Sequence, residues 1–397
     1  MKRKAGDLMA KVPATSVTFD KMEKAMKLFE SIVREGPLKV LPAPQVVRVP
    51  MSCHRPEVQC GQDVARGVHI GGGRYAPISG TITEVHPYYI CITAGKEVQP
   101  VPKDLSGLRG DALRQVLGEL GAKLPQGPTD TLIINGVDPE PGVTAFTHML
   151  TEFGSVLSLG LETARKIYNP AKCVLAVEQG RPNSLNGCDP VHIKEGYPNG
   201  LNPLVVAAVT GKEAPEDTVV LSVGTLFELG RIMETGLPCV DVVLTANERN
   251  FVVTVGTPAD TVLSEAGLSV RDGDTLVLGG HMRGEAAHSP QQGVDKNTYG
   301  LFVIRKGEYP AVIDAPCIGC GECIQVCPAR IDPSTISGYA EFRMYEKCAD
   351  HDIDACMECG MCGFFCISRR PLLQYIRLAK QHLAFAAQCE LEPQREG

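Results

Sequence analysis

Residues 317–383 read "CIGCGECIQVCPARIDPSTISGYAEFRMYEKCADHDIDACMECGMCGFFCISRRPLLQYIRLAKQHL", and eight of the chain's sixteen cysteines repeat one spacing twice within them. Cys317, Cys320, Cys323 and Cys327 form C-x2-C-x2-C-x3-C and are followed by Pro328. Cys356, Cys359, Cys362 and Cys366 form the same run, followed by Ile367. What these thiols hold decides the fold of the C-terminal part and restricts the purpose of the rest.

Composition narrows the answer. A chain of 397 residues, 44% hydrophobic, with 41 Gly and 29 Pro, implies roughly two to four compact, turn-rich domains. The net charge is −7 and there is no long basic run, so the electrostatic footprint of a nucleic-acid partner is missing. No stretch approaches the about 20 apolar residues of a membrane-spanning helix, and residues 1–20 have a basic start but no apolar core for a signal peptide. This reads as a soluble cytoplasmic protein. Thiols stay reduced there, so dense cysteine usage argues for metal over disulfides.

The repeated run is the one that bacterial two-cluster ferredoxins use. Three thiolates two residues apart wrap three irons of one cubane, while the fourth lies too far along and serves the other cluster. The spacing therefore predicts two [4Fe-4S] clusters, one on Cys317, Cys320, Cys323 and Cys366, the other on Cys356, Cys359, Cys362 and Cys327. Structural zinc asks only for pairs of C-x-x-C, and a third cysteine at the same interval twice over is superfluous for it. Residues 328–355, between the runs, are too many for a minimal hairpin. They carry helical spacing after Asp332 or Ser334, so a mostly helical cluster domain is expected over 311–397. Cys348 reads as a small buried residue. Cys53, Cys60, Cys91, Cys173, Cys188, Cys239 and Cys389 have no ligand spacing, and no histidine pair suggests a metal site.

Further modules precede the cysteines. Residues 37–100 are short β runs broken by Gly and Pro, a compact β-rich, barrel-sandwich-like module without a lysine at a hairpin tip to carry a prosthetic group. Residues 101–246 alternate strand-like runs ("DTLIING", "KCVLAVEQ", "DTVVLSVG", "VDVVLTA") with amphipathic stretches such as "THMLTEFGSVLSLGLETARKIY", the order of a Rossmann-like parallel sheet. Residues 247–310 give a strand, a Gly-Thr-Pro turn that starts a helix at Pro258, Gly267 at its end and more strands, a β-grasp-like unit. Within residues 1–36, Phe19, Met22, Met26, Phe29 and Val33 line one face of an amphipathic helix. The fold class is multidomain, α+β and α/β.

Module order and residues together resemble the RnfC family, a component of the Rnf electron-transport complex, and related respiratory flavoprotein subunits. The resemblance rests on "VQCGQDVARG", "APISGTI", "TLIINGVDPEPGVT", "YPNGLNPLVVAAVTGKEAP", "SVGTLFELGRIMETGLP", "VTVGTPADTVLSEAG", "LGGHMRG" and "SRRPLLQYIRLAK". It implies that 247–310 is of the SLBB type. It also implies a peripheral subunit on the cytoplasmic face of the membrane, passing electrons between a soluble partner and membrane-embedded and iron–sulfur subunits that couple the flow to ion translocation. The soluble partner would be a cytochrome, a ferredoxin or NADH.

The chain departs from that family where FMN and NADH are bound. A glycine-rich GxGGAGFP loop is replaced by "LRQVLGELGAKLPQGPTDTLIIN", which keeps only Gly118 and Gly121, and Glu119, Leu120 and Lys123 would impede a phosphate cradle. A Gly-Gly-Glu-Lys turn is replaced by Gly200–Pro203. The element from Asn135 to Gly142 survives, and the resemblance makes Asn135, Asp138 and Glu140 the remnant of a flavin site; a strand-end turn shaped by Pro139 and Pro141 is the other reading. Retained clusters with a degenerate nucleotide loop suggest an electron relay. An FMN-dependent NADH dehydrogenase module and a soluble reductase component for a corrinoid or selenoprotein are the alternatives. Arg369, Arg370, Arg377 and Lys380 either balance cluster charge, guide an acidic partner or form a solvated helix face.

Overall fold

A two-residue turn fixes the central topology. In the computed structural model, which describes residues 38–51, 55–95, 98–127, 129–181, 185–308, 311–313 and 315–391, Asn247 and Glu248 both have positive φ (49° and 58°). Such a turn matches the twist of two antiparallel strands and leaves no room for the crossover that a parallel partner needs. The chain divides into two compact units, one within Glu30–Lys306 and one containing Gly307–Gly397. The helix read near the N-terminus lies outside the described residues.

In the larger unit, β1 (Lys39–Val40), β2 (Val46–Pro50), β3 (Asp63–Val64), β4 (His69–Gly71), β5 (Arg74–Tyr75), β6 (Gly80–His86) and β7 (Tyr89–Ala94) come first. Strands β2, β7, β6 and β3 form an antiparallel sheet in that order, and β4 pairs with β5. The alternation of Val47, Val49, Ile82, Ile90 and Ile92 buries one face.

Next come α1 (Gly110–Glu119), β8 (Thr131–Asn135), α2 (Ala145–Glu152), α3 (Gly154–Tyr168), β9 (Lys172–Glu178), β10 (Asp189–Ile193), α4 (Asn202–Thr210), β11 (Thr218–Ser222) and α5 (Val223–Thr235). The four strands are all parallel, in the order β10, β9, β8, β11. The central strands β8 and β9 are buried along nearly their whole length, as crossover helices on both faces require, while the edge strand β10 is largely exposed. The long amphipathic stretch read after Thr144 is two helices, broken at Phe153. Helices α3 and α5 pack closely enough that a Cβ on Gly160 would come within 2.0 Å of the Leu226 carbonyl oxygen.

The third sheet holds β12 (Asp241–Ala246), β13 (Arg249–Thr254), β14 (Thr275–Leu278), β15 (Glu285–Ala286) and β16 (Gly300–Ile304), with α6 (Ala259–Glu265) after β13. Its order is β1, β13, β12, β16, β14, β15. Two boundaries read from the sequence shift as a result. The run at 241–246, taken as a strand of the parallel sheet, is the first arm of the β12–β13 hairpin, because the turn at Asn247–Glu248 admits nothing else. The start of the first β module instead supplies β1, which pairs in parallel with β13 through Lys39↔Phe251. Pro258 caps α6 from one position outside it, and Gly267 follows it at φ +76°.

The smaller unit is helical: α7 (Glu322–Gln325), α8 (Pro333–Glu341), α9 (Tyr345–Ala349), α10 (Met361–Phe364) and α11 (Leu372–Leu391), with a 3-10 turn at Ile353–Ala355. The Asp332 carboxylate accepts from the N–H groups of Ser334 and Thr335, which starts α8 where the sequence suggested. Ile336, Ala340, Tyr345, Ile353, Leu372 and Ile376 make its core together with Cys348, whose thiol donates to the Ile336 carbonyl. Among the described residues no helix is long and apolar enough to cross a membrane.

Candidate functional site

The two cysteine runs fold into copies of one another. Gly321 and Gly360 cap α7 and α10 with φ of 78° and 76°. Gly319 and Glu358, each two residues after the first cysteine of a run, also have positive φ (68° and 54°), and each donates its N–H to that cysteine's Sγ at 3.4 Å. A non-glycine residue tolerates this conformation reluctantly. At Glu358 the side chain is held by Arg377 at 3.0 Å and Lys380 at 3.2 Å. After the fourth cysteines the copies match again. Arg330 and Arg369 both have φ 57°, and both donate to the carbonyl of the preceding fourth cysteine at 3.1 Å.

One small pocket is lined by Cys327 together with Cys356, Cys359 and Cys362. Ile331, Pro333, Leu373 and Ile376 close it with apolar surface. The last thiol of the first run thus faces the first three of the second. In the other set Cys317 and Cys320 are exposed, Cys323 is buried and Cys366 is partly buried. Burial pushes the Cys359 thiol up to about 12 and Cys323 to about 11, and it raises Cys362 as well. Thiols so placed ionise readily only when a cation binds, and metal binding releases their protons. Together with N–H groups aimed at sulfur, this donor set fits an iron–sulfur group. Among the described residues no group of three His, Cys, Asp or Glu side chains is disposed to hold a single ion; a cubane spreads its thiolates over separate irons.

Three of the four basic residues read after Cys366 pair with carboxylates inside the unit. Arg370 pairs with Glu341 at 2.6 Å, while Arg377 and Lys380 meet Glu358.

The suspected flavin remnant is also engaged. Asn135 Nδ2 donates to the Gly200 carbonyl at 2.9 Å and to Asn202 Oδ1 at 2.8 Å, and its Oδ1 accepts from Val137 N–H. Asp138 caps α2, accepting from Phe146 and Thr147 N–H and from the Thr147 hydroxyl. Burial nevertheless raises its pKa to about 6. Glu140 accepts from Met282 N–H and from Arg283 Nε. In a parallel sheet ligands bind outside the strand ends where the order reverses, here beside Asn135 and its register partner Ser222. Close to this strand end the Tyr299 hydroxyl packs on α5, so near that a Cβ on Gly224 would come within 2.4 Å of it, and its ring meets Phe146 edge to face.

The phosphate cradle is replaced by a helix end. The N–H groups of Leu120, Gly121 and Ala122 donate to carbonyls of Val116, Leu117 and Gly118 at the C-terminus of α1. The carbonyl end of a helix repels anions, and Gly121 packs against the Tyr75 ring. These residues do not fit a flavin phosphate.

One pairing escaped the sequence. Cys173 and Cys188 stand at neighbouring strand starts, since Val174 pairs with Asp189, and the interaction of their thiols lowers Cys173 and raises Cys188. Fourteen intervening residues hide a contact that only sheet register reveals.

The fold and these thiols define an iron–sulfur protein, and residues 310–367 match the family of 4Fe-4S dicluster domains. The chain is homologous along most of its length to the C subunits of ion-translocating oxidoreductase complexes, as its motifs indicated. It is 27% identical to the C subunit of the Na⁺-translocating ferredoxin:NAD⁺ oxidoreductase complex of Acetobacterium woodii, over 88% of this chain and 93% of that one. It is 24% identical to the proton-translocating counterpart of Clostridium ljungdahlii, over 89% and 92%. It is 27% identical to the C subunit of the ion-translocating oxidoreductase complex of Yersinia pestis, over 90% and 68%. An NAD⁺-reducing [NiFe]-hydrogenase in its H2-reduced state shows a loose structural likeness, with a TM-score of 0.41 and 14% identity over 73% of this chain and 62% of that one.

Proposed function

We propose that the chain is the electron-relay subunit of an Rnf-type ion-translocating complex. Cys317, Cys320, Cys323 and Cys366 hold one [4Fe-4S] cluster, and Cys356, Cys359, Cys362 and Cys327 hold the other. The clusters supply one-electron storage; the protein positions the thiolates and excludes water around the second set. The observation that carries this reading is the cavity where Cys327 joins the second run. A zinc ribbon would pair cysteines within each run, whereas exchange of the fourth ligand is the habit of two-cluster ferredoxins.

Residues 37–310 are read as a barrel-sandwich-like module, a Rossmann-like domain and an SLBB-type β-grasp unit that join the relay to the complex. The protein docks at the cytoplasmic face of the membrane against membrane-embedded and iron–sulfur subunits. The helix end at Leu120–Ala122, where a phosphate loop would stand, favours a cytochrome or ferredoxin over NADH as the soluble partner.

An anaerobic titration of the cluster-loaded chain tests this. We expect about eight irons per chain, bleaching of the visible absorbance by dithionite, and none by NADH with added FMN. Bleaching by NADH would overturn the exclusion of nucleotide chemistry, and iron far below eight would overturn the clusters themselves.

A further inference from the structure

The two copies of the cysteine run differ at one buried position. Four residues after Cys327 stands Ile331, 5% exposed and part of the apolar wall around Cys327, Cys356, Cys359 and Cys362. Four residues after Cys366, past the same left-handed turn, stands Arg370, 6% exposed. A fully charged side chain so deeply buried requires partners on every face. Its backbone N–H donates to Cys366 Sγ at 3.4 Å, Nη1 to the Ala315 carbonyl at 3.1 Å and Nη2 to Glu341 at 2.6 Å. Nε is buried and has no partner among the described residues. Arg370 therefore stands between the first and last cysteines of one set, tied to the residue two before Cys317 and to Cys366 itself.

We propose that Arg370 tunes the cluster held by Cys317, Cys320, Cys323 and Cys366, raising its reduction potential, an inference that rests on the ligand sets given above. Reduction adds one negative charge to a group already carrying four thiolates. A buried positive charge stabilises the reduced form more than the oxidised one, and an N–H directed at sulfur does the same. Glu341 is 28% side-chain exposed, so water screens part of its opposing charge. The other set has Lys380, which donates to the Cys356 carbonyl and meets Glu358. Its ammonium is directed at carbonyl and carboxylate oxygens, and the position matching Arg370 is aliphatic. Arg370 is a positioning residue in this role, since it reaches the iron through sulfur.

The test is a dithionite titration of the loaded full chain against mediators of known potential, read by electron paramagnetic resonance, for wild type, Arg370→Met, Arg370→Gln and Arg370→Lys, with iron counted on each sample. We expect all four to keep about eight irons. In R370M and R370Q one of the two reduction waves should shift to lower potential by at least a tenfold change in the reduced-to-oxidised ratio, which is 59 mV for a one-electron couple. The other wave should stay in place, and R370K should restore most of the shift. Full iron with both waves unmoved overturns the proposal, as does loss of iron in all three variants, which would make Arg370 purely structural. Wild type with well under eight irons would instead overturn the ligand sets, so the two failures are distinguishable.

Discussion

Glu140 Oε1 accepts from Arg283 Nε at 2.5 Å, which fastens the turn leaving β8 to the segment between β14 and β15. The Glu140 side chain is only 4% exposed and takes two further N–H groups from Met282 and Arg283. A residue that resemblance assigned to a ligand is thus a fastener between two sheets.

Glu140→Ala should destabilise the chain by about 3 kcal/mol, at the lower end for a broken buried pair because Arg283 stays in reach of water. A urea midpoint shift at unchanged slope would record it, with iron content unaltered. A shift of a few tenths of a kcal/mol would mean that the fastening is dispensable.

Cys320→Ala and Cys359→Ala should each lower iron from about eight to about four or fewer per chain, since each removes one cubane ligand. Cys327→Ala combined with Cys359→Ala should lose no more than Cys359→Ala alone, because both serve one cluster. Cys320→Ala with Cys327→Ala should lose nearly all. The reverse order, with Cys327→Ala plus Cys359→Ala losing nearly all the iron and Cys320→Ala plus Cys327→Ala keeping about half, would show that the runs do not exchange their fourth cysteine.

Cys188→Ser should leave iron at the wild-type level, its thiol lying beside Cys173 on the adjacent strand of the larger unit. Loss of iron on this change would mean that ligation reaches into the larger unit.

Asp138 gives a pH signature. Burial raises its carboxyl from 3.8 to about 6 in the folded chain, so between those values the native state holds a proton that the unfolded state has released. Stability from this group is therefore greatest near pH 4 and falls as pH rises towards 6. Asp138→Asn, which still offers an oxygen to cap α2, should remove that slope from the urea midpoint measured across pH 4–7. A slope of opposite sign would show that the three donors around Asp138, and not its burial, govern its charge.

Much of this was legible in sequence because it was local. Cysteine spacing is a local code, as are the capping Asp332, the glycines that end helices and the alternation of strands. What failed to show was register between distant segments. Asn247–Glu248 is not a typical hairpin dipeptide, so β12 reads as one more strand of the preceding parallel sheet until its partner is seen. Cys173 and Cys188 meet only through strand pairing, and Arg370 looks like one member of a basic run until its burial is known. Asn135, Asp138 and Glu140 retain a family motif, while the geometry around them directs every one of their polar groups inward.

Strand β1 has a temporal consequence. Lys39 pairs with Phe251, so 212 residues (251 − 39) must be synthesised before this edge finds its neighbour, and at 5–20 residues per second a ribosome needs about 10–40 s. Throughout that interval the nascent chain carries an unpaired extended segment, with Val40 remaining 69% exposed even after folding. The six-stranded sheet is accordingly complete only late in translation, and the three sheets encoded between its strands have time to assemble first. Slow codons or a bound chaperone between residues 100 and 250 would act on the yield of this protein while leaving its finished structure unchanged.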